Sequence, residues 1–183
     1  ISSLFGYAIA EHIFSVFKQL KKSKNILEIG AGSGKLAADI LTRLKDLDQL
    51  PDHYFILERS GVLQNTQYHH IKNTHPELIH KIIWLDQLET HFSENKFNGV
   101  ILANEVCDAL ATKLFKKIDN KIFELGVDLN LSLVPLSPDP ELLKIIKNIE
   151  SRLGPLPNHY QSEICLVLKP WLTYLNNFLD QGC

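Results

Sequence analysis

Asn25-Ile26-Leu27-Glu28-Ile29-Gly30-Ala31-Gly32-Ser33-Gly34-Lys35-Leu36 is the stretch on which the rest of the chain turns. The run as far as Ile29 is short, apolar and stopped by a glycine, as expected of a parallel strand buried on both faces. From Leu36 onward, Ile40, Leu41, Leu44 and Leu47 return at three- and four-residue intervals, which predicts a helix with one apolar face. The glycines between the two let the main chain turn tightly. They also let a ligand approach with no Cβ atoms in the way.

The same grammar extends outward in both directions. Leu4, Phe5, Ala8, Ile9, His12, Ile13, Val16, Phe17 and Leu20 predict a helix before the first strand, closed by the positive Lys21, Lys22 and Lys24. After it come a strand at Tyr54-Phe55-Ile56-Leu57 ending in Glu58, a polar helical stretch from Val62 to Ile71, and a strand at Ile82-Ile83-Trp84-Leu85 ending in Asp86. Gly99-Val100-Ile101-Leu102-Ala103 is a fourth strand, ending in Asn104-Glu105. Strands alternating with helices mean βαβ units, hence an α/β, Rossmann-like fold with a parallel sheet in the order 3-2-1-4 and helices on both faces.

From Leu114 the pattern changes. Phe115 to Ile118 and Lys121 to Leu125 flank the two-residue turn Asp119-Asn120, a hairpin signature. Leu131 to Val134 suggests a third strand, Glu141 to Ile149 a short helix, and Ser162 to Leu179 a last helix with Pro170 as a kink. Residues 113–160 are accordingly expected to form a hairpin-and-helix insertion within a single domain spanning 1–183. The chain has no methionine, opens at Ile1 on an apolar periodic stretch, and stops after a helix where another strand is due. It reads as a fragment of an incomplete domain.

Composition narrows the function classes. Nineteen Lys and Arg against 21 Asp and Glu leave a net charge of −2, so no bulk positive field points to nucleic acid or to an anionic membrane. No apolar run approaches the roughly 18 residues a bilayer span needs. Three scattered cysteines, Cys107, Cys165 and Cys183, suit neither a disulfide framework nor a zinc site, and fit a reducing compartment. The expected setting is a bacterial cytoplasm, or a mitochondrial matrix for a eukaryotic chain.

Three ligands compete for the glycine loop. A phosphate-cradling loop, G-x-x-x-x-G-K-[ST], fails at Ile29 and Leu36. A dinucleotide fingerprint, G-x-G-x-x-G, fits Gly30 and Gly32 but meets Lys35 at its third glycine. The third ligand, S-adenosyl-L-methionine, has no phosphate. It needs bare main chain at Gly30, Ala31, Gly32 and Ser33, together with acids for its amine, its ribose hydroxyls and its adenine amino group. Glu28, Glu58 and Asp86 end three successive strands at the edge where open α/β sheets bind ligands. Glu58 sits where a ribose-binding acid is expected, because a carboxylate accepts two hydroxyl hydrogen bonds without offering a competing donor.

With those residues in hand, the chain resembles a known family. Ile1-Ser2-Ser3-Leu4-Phe5-Gly6, the loop from Glu28 to Gly34, Tyr54 to Ser60, Ala103-Asn104-Glu105-Val106-Cys107-Asp108-Ala109-Leu110 and Tyr160-Gln161-Ser162-Glu163-Ile164 occur in order. They are similar to the class I methyltransferases that include the mitochondrial complex I assembly factor, a protein arginine methyltransferase, and its bacterial relatives. The chain departs from that pattern at Cys107, Ala111, Gln161 and Cys165, all near the expected substrate side. The resemblance implies methyl transfer from S-adenosyl-L-methionine to a protein side chain, arginine, in the setting of complex I assembly.

For a guanidinium acceptor, Glu105, Asp108 and Glu163 are the candidate catalytic carboxylates, and Asn104 positions acceptor or cofactor. A second reading gives Asp108 and Glu163 only the task of capping helix N-termini. His69, His70 and His75 read as surface histidines without metal-ligand geometry, and Cys107 as a buried thiol. Phe5, Phe14, Phe17, Trp84 and Trp171 read as core packing. A nicotinamide-dependent oxidoreductase and a non-catalytic assembly scaffold remain as alternative functions.

Overall fold

The computed structural model describes residues 2–92 and 96–183. The chain divides into two compact units, one made of Ile1–Asp108 with Tyr174–Cys183 and the other of Ala109–Thr173. The insertion expected at 113–160 falls inside the second unit.

The first unit is a twisted parallel sheet with helices packed on it. It contains α1 (Ser3–Phe17), β1 (Asn25–Ile29), α2 (Lys35–Asp46), β2 (Tyr54–Leu57), α3 (Gly61–Thr74), β3 (Ile82–Leu85), α4 (Glu89–Phe92) and β4 (Phe97–Leu102). All five residues of β1 are buried, as a central parallel strand requires. β2 and β4 pair with it on either side, Leu27 facing Phe55 and Ile101. Ala10, Ile13 and Phe17 of α1 and Ile40, Leu41 and Leu44 of α2 join Ile26, Tyr54, Ile56 and Val100 in one core. Each such large side chain contributes roughly 1.5–3 kcal/mol through burial.

The sheet order is β3-β2-β1-β4 with a fifth parallel strand outside β4, at Leu179–Gly182. Sequence reasoning ran the last helix through Leu179 and left those residues without a strand. Leu-Asp-Gln-Gly carries no β-branched residue and no alternation, so nothing local marks it. Its main chain is nonetheless bonded in, with Ile101 N donating to Cys183 O at 2.7 Å and Cys183 N to Gly99 O at 3.2 Å.

The second unit carries an antiparallel sheet. β5 (Lys113–Ile118) and β6 (Lys121–Val127) form the expected hairpin, with Asp119 and Asn120 both left-handed at φ 47° and 60°, the geometry of a two-residue primed turn. β7 (Leu133–Leu136) pairs with β6, two residues later than the sequence suggested. α5 (Pro140–Leu153) lays Leu142 and Ile146 on Phe115; Asp139 caps it with Pro140 in its first turn, and it runs past the expected end at Ile149 to Leu153, where the N–H of Gly154 donates to Glu150 O. β8 (Gln161–Ile164) pairs with β5, so residues 161–164 are strand and not the start of a helix. α6 (Leu168–Phe178) crosses from the second unit into the first and leads to β9 (Leu179–Gly182). Pro170 sits in the first turn of α6, where its missing N–H has no intrahelical partner to lose.

Four side-chain expectations are corrected. His75 is buried at 8% exposure, its Nε2 within 2.8 Å of Thr42 Oγ1 and 3.2 Å of Ala38 O, because α3 turns that end toward α2. Cys107 is exposed, since the chain leaves β4 before reaching it. Phe5 is 41% exposed, in the first turn of α1 ahead of the buried stripe Gly6, Ala10, Ile13 and Phe17. Asp108 lies inside a single 3-10 turn, Cys107–Ala109, and the next regular element is β5, so there is no following helix for it to cap.

Gly99 is one of two close approaches in the sheet, the other being Gly182 of β9 against Gly99 O. Gly99 has φ +147°, and a Cβ built there would stand 1.9 Å from Asn25 O. Gly99→Ala must push β4 off β1. We expect it to destabilise the fold by at least ~3 kcal/mol, read as a lower urea midpoint; a change under about 0.5 kcal/mol would contradict the described pairing.

Candidate functional site

The loop after β1 is built from alternating left-handed glycines, Gly30 (φ +69°), Gly32 (φ +54°) and Gly34 (φ +80°). Gly34 N donates to Ala31 O at 2.9 Å and closes the turn that starts α2. A Cβ on Gly32 would meet nothing within 4 Å, so the main chain there faces open space. Six of the residues expected to hold a cofactor, Glu28, Gly30, Ala31, Gly32, Ser33 and Asn104, line one cavity of about 260 Å³, and Glu105 joins them. Asn104 and Glu105 also line an adjoining cavity of about 380 Å³ with Ser2 and Phe5. A larger cavity of about 670 Å³ opens at the opposite end of the strands, beside Asn25, His53 and Phe97, and includes none of the expected site residues.

Glu28 is 2% exposed. Loss of hydration pushes its carboxyl up from 4.5 to about 7, against the opposing pull of the Tyr54 hydroxyl, which donates to Oε2 at 2.8 Å. A cationic amine entering the cavity would keep this group ionised. Lys35 also lines the cavity, but its Nζ is engaged by Asp39 at 2.6 Å and by Ser3 Oγ at 3.1 Å. The loop therefore offers bare main chain and an acid. That donor set suits a phosphate-free, amine-bearing ligand better than a pyrophosphate, which weakens the nicotinamide alternative.

Glu58 and Asp86 do not line that cavity; they are held beside it by two glutamines of α3. Gln67, fully buried, donates through Nε2 to Gly32 O at 3.0 Å and to Glu58 Oε2 at 3.3 Å. Gln64, on the same face one turn earlier, donates to Glu58 O at 2.6 Å and to Asp86 Oδ1 at 3.0 Å. The sequence marks the acids at the strand ends, but neither glutamine was read from it. The available signal was their i, i+3 spacing in a helix directly after Glu58.

On the other side of the loop, Asn104 is half-buried and Glu105 exposed with φ +53°, a left-handed conformation that an ordinary side chain adopts only under strain. Asp108 is exposed three residues on. Glu163 belongs to the second unit: it lies on β8, not at a helix N-terminus, and Oε2 accepts the Thr112 hydroxyl at 2.9 Å. Among the described residues no group of three or more His, Cys, Asp or Glu could hold a metal ion, and no helix is long and apolar enough to cross a membrane.

The family model described as "Putative S-adenosyl-L-methionine-dependent methyltransferase" matches residues 8–183. A COG1565 superfamily member from Burkholderia thailandensis, solved bound to S-adenosyl-homocysteine, superimposes with a TM-score of 0.81 at 26% identity, over 99% of this chain and 45% of that one. A native structure of a COG1565 superfamily protein from the same organism gives 0.79 at 26% identity, over 98% and 46%. The chain thus spans under half the length of these relatives. No curated protein matches it in sequence.

The buried carboxyl makes stability depend on pH. Its folded pKa is about 7 against 4.5 unfolded, so the wild type should lose stability as pH rises from about 5 to 8, by up to ~3 kcal/mol relative to Glu28→Gln. Urea titrations of both proteins across that range check this, and parallel profiles would contradict it.

Proposed function

The chain belongs to the S-adenosyl-L-methionine-dependent methyltransferase family whose model it matches, and from that premise we propose that it transfers a methyl group to an arginine of a protein, one met during respiratory complex I assembly. The observation that carries the proposal is the shared cavity. Glu28 and the bare loop lie on one wall, and Asn104 and Glu105 belong both to it and to the adjoining cavity. The two cavities therefore share the Asn104-Glu105 wall.

The roles follow from what each group offers. Bound S-adenosyl-L-methionine supplies an activated methyl on a sulfonium, so little proton chemistry is needed before transfer. Glu28 pairs with the cofactor's amine, Glu58 accepts its ribose hydroxyls, and Asp86 accepts from the adenine amino group. Asn104 marks the boundary between cofactor and acceptor. Glu105 holds the guanidinium and balances the positive charge that builds on the attacked nitrogen, and Asp108 adds a second acid nearby. As the new N–CH3 bond forms and the old C–S bond breaks, the electron pair leaves with sulfur and the acceptor's extra proton passes to water. Glu163 is the third candidate carboxylate for the acceptor.

The test is transfer of labelled methyl from S-adenosyl-L-methionine to arginine-containing peptides, with lysine-substituted peptides as control. Glu105→Gln should lower transfer to arginine by about 100-fold, the scale of losing one charge-stabilising group, while affinity for S-adenosyl-homocysteine changes little. Glu58→Ala should instead weaken that affinity about 10- to 100-fold. Unchanged transfer in both Glu105→Gln and Glu163→Gln, or label on a different residue type, would overturn the arginine assignment.

A further inference from the structure

We propose that Gln67 is the positioning residue that presents the Glu58 carboxylate to the ribose of the cofactor. The proposal rests on the reading of Glu58 as the ribose acceptor. Gln67 sits on the inner face of α3 with no exposure, and every polar atom of its amide is engaged. Trp84 Nε1, on β3, donates to Gln67 Oε1 at 3.0 Å. An indole N–H can only donate, so it fixes which end of the amide is oxygen and turns Nε2 toward the loop and the acid. Nε2 has two hydrogens and uses them on Gly32 O and Glu58 Oε2. One nitrogen therefore sets the spacing between the loop main chain and the carboxylate.

The carboxylate is pinned from its other side as well, because Ser60 N donates to Glu58 Oε1 at 2.9 Å. Each oxygen has one protein donor and accepting capacity to spare, and a vicinal diol can supply one hydroxyl to each. The approach of α3 that makes this reach possible depends on Gly34, where a Cβ would stand 3.1 Å from Gln67 Cα. An apolar residue of the same volume at position 67 could fill the space. It could not hold either oxygen acceptor, and it would leave the Trp84 N–H without its partner.

Calorimetric binding of S-adenosyl-homocysteine and its 2′-deoxyribose analogue to the 183-residue chain separates positioning from packing. In the wild type, loss of the hydroxyl should weaken binding by about 10-fold or more. Gln67→Leu should weaken binding of the parent compound by about 10-fold and shrink the deoxy penalty to under about threefold, because a misplaced carboxylate no longer distinguishes the two. Trp84→Phe keeps the glutamine and removes only the donor that orients it, and should shrink the deoxy penalty in the same way. It decides the matter if Gln67→Leu does not fold. A full deoxy penalty in a folded variant overturns the role of Gln67. If the wild type binds both compounds equally, or binds neither, the ribose role of Glu58 fails first and the inference falls with it.

Discussion

Parallel pairing of β1 between β2 and β4 is the constraint from which the site follows. Strands that run the same way deliver their C-terminal ends to one edge, so the glycine loop, Glu58 and Asn104-Glu105 come together without any long-range signal of their own. The loop lies where the chain's direction of travel reverses, with β2 on one side of β1 and β4 on the other. Keeping β1 central requires burying all of it, including Glu28. Burying a carboxyl without a cation is costly, and the structure meets the cost by leaving the group easily protonated and bonded to Tyr54. A cationic ligand at the cavity then finds an acid whose ionised form it stabilises.

The second constraint is how the acids at the ends of β2 and β3 are held in place. A carboxylate at a strand end is ordinarily free to turn into solvent, so a strand terminus alone cannot set its geometry. Here α3 supplies the missing rigidity through Gln64 and Gln67, one turn apart on the same face. Glutamine suits this task because its amide donates twice from one nitrogen to acceptors on different elements, and being neutral it leaves the charge of the acids intact. A lysine there would form an ion pair with Glu58 and compete with the ligand's hydroxyls.

Legibility in the sequence followed the strength of local patterns. The first four strands and the first three helices could be read because buried parallel strands are unbroken apolar runs and helices repeat at 3.6 residues. β8 and β9 could not, because Gln-Ser-Glu-Ile and Leu-Asp-Gln-Gly are short and polar, and become strands only through their neighbours β5 and β4. The same blindness hid His75 and Gln67. Both are buried polar residues, one within and one directly after a helix that looked polar all round, and their partners lie up to 37 residues away in the chain. Cys107 and Phe5 erred in the other direction, where an apolar residue near an element's end was credited with that element's burial.

The division of the chain also separates the candidate residues. Every residue assigned to the cofactor, and Gln64 and Gln67 that hold two of them, lies in the first unit, as do Glu105 and Asp108. The second unit contributes Glu163, on a strand whose partner β5 also carries Lys117, buried and paired with Glu150 at 2.8 Å. That ion pair and the Phe115, Leu142 and Ile146 cluster give the second unit a core of its own. Glu163 and the glycine loop thus belong to separately packed units. Of the four positions at which the chain departs from the pattern it resembles, Ala111, Gln161 and Cys165 lie in the second unit and Cys107 in the first.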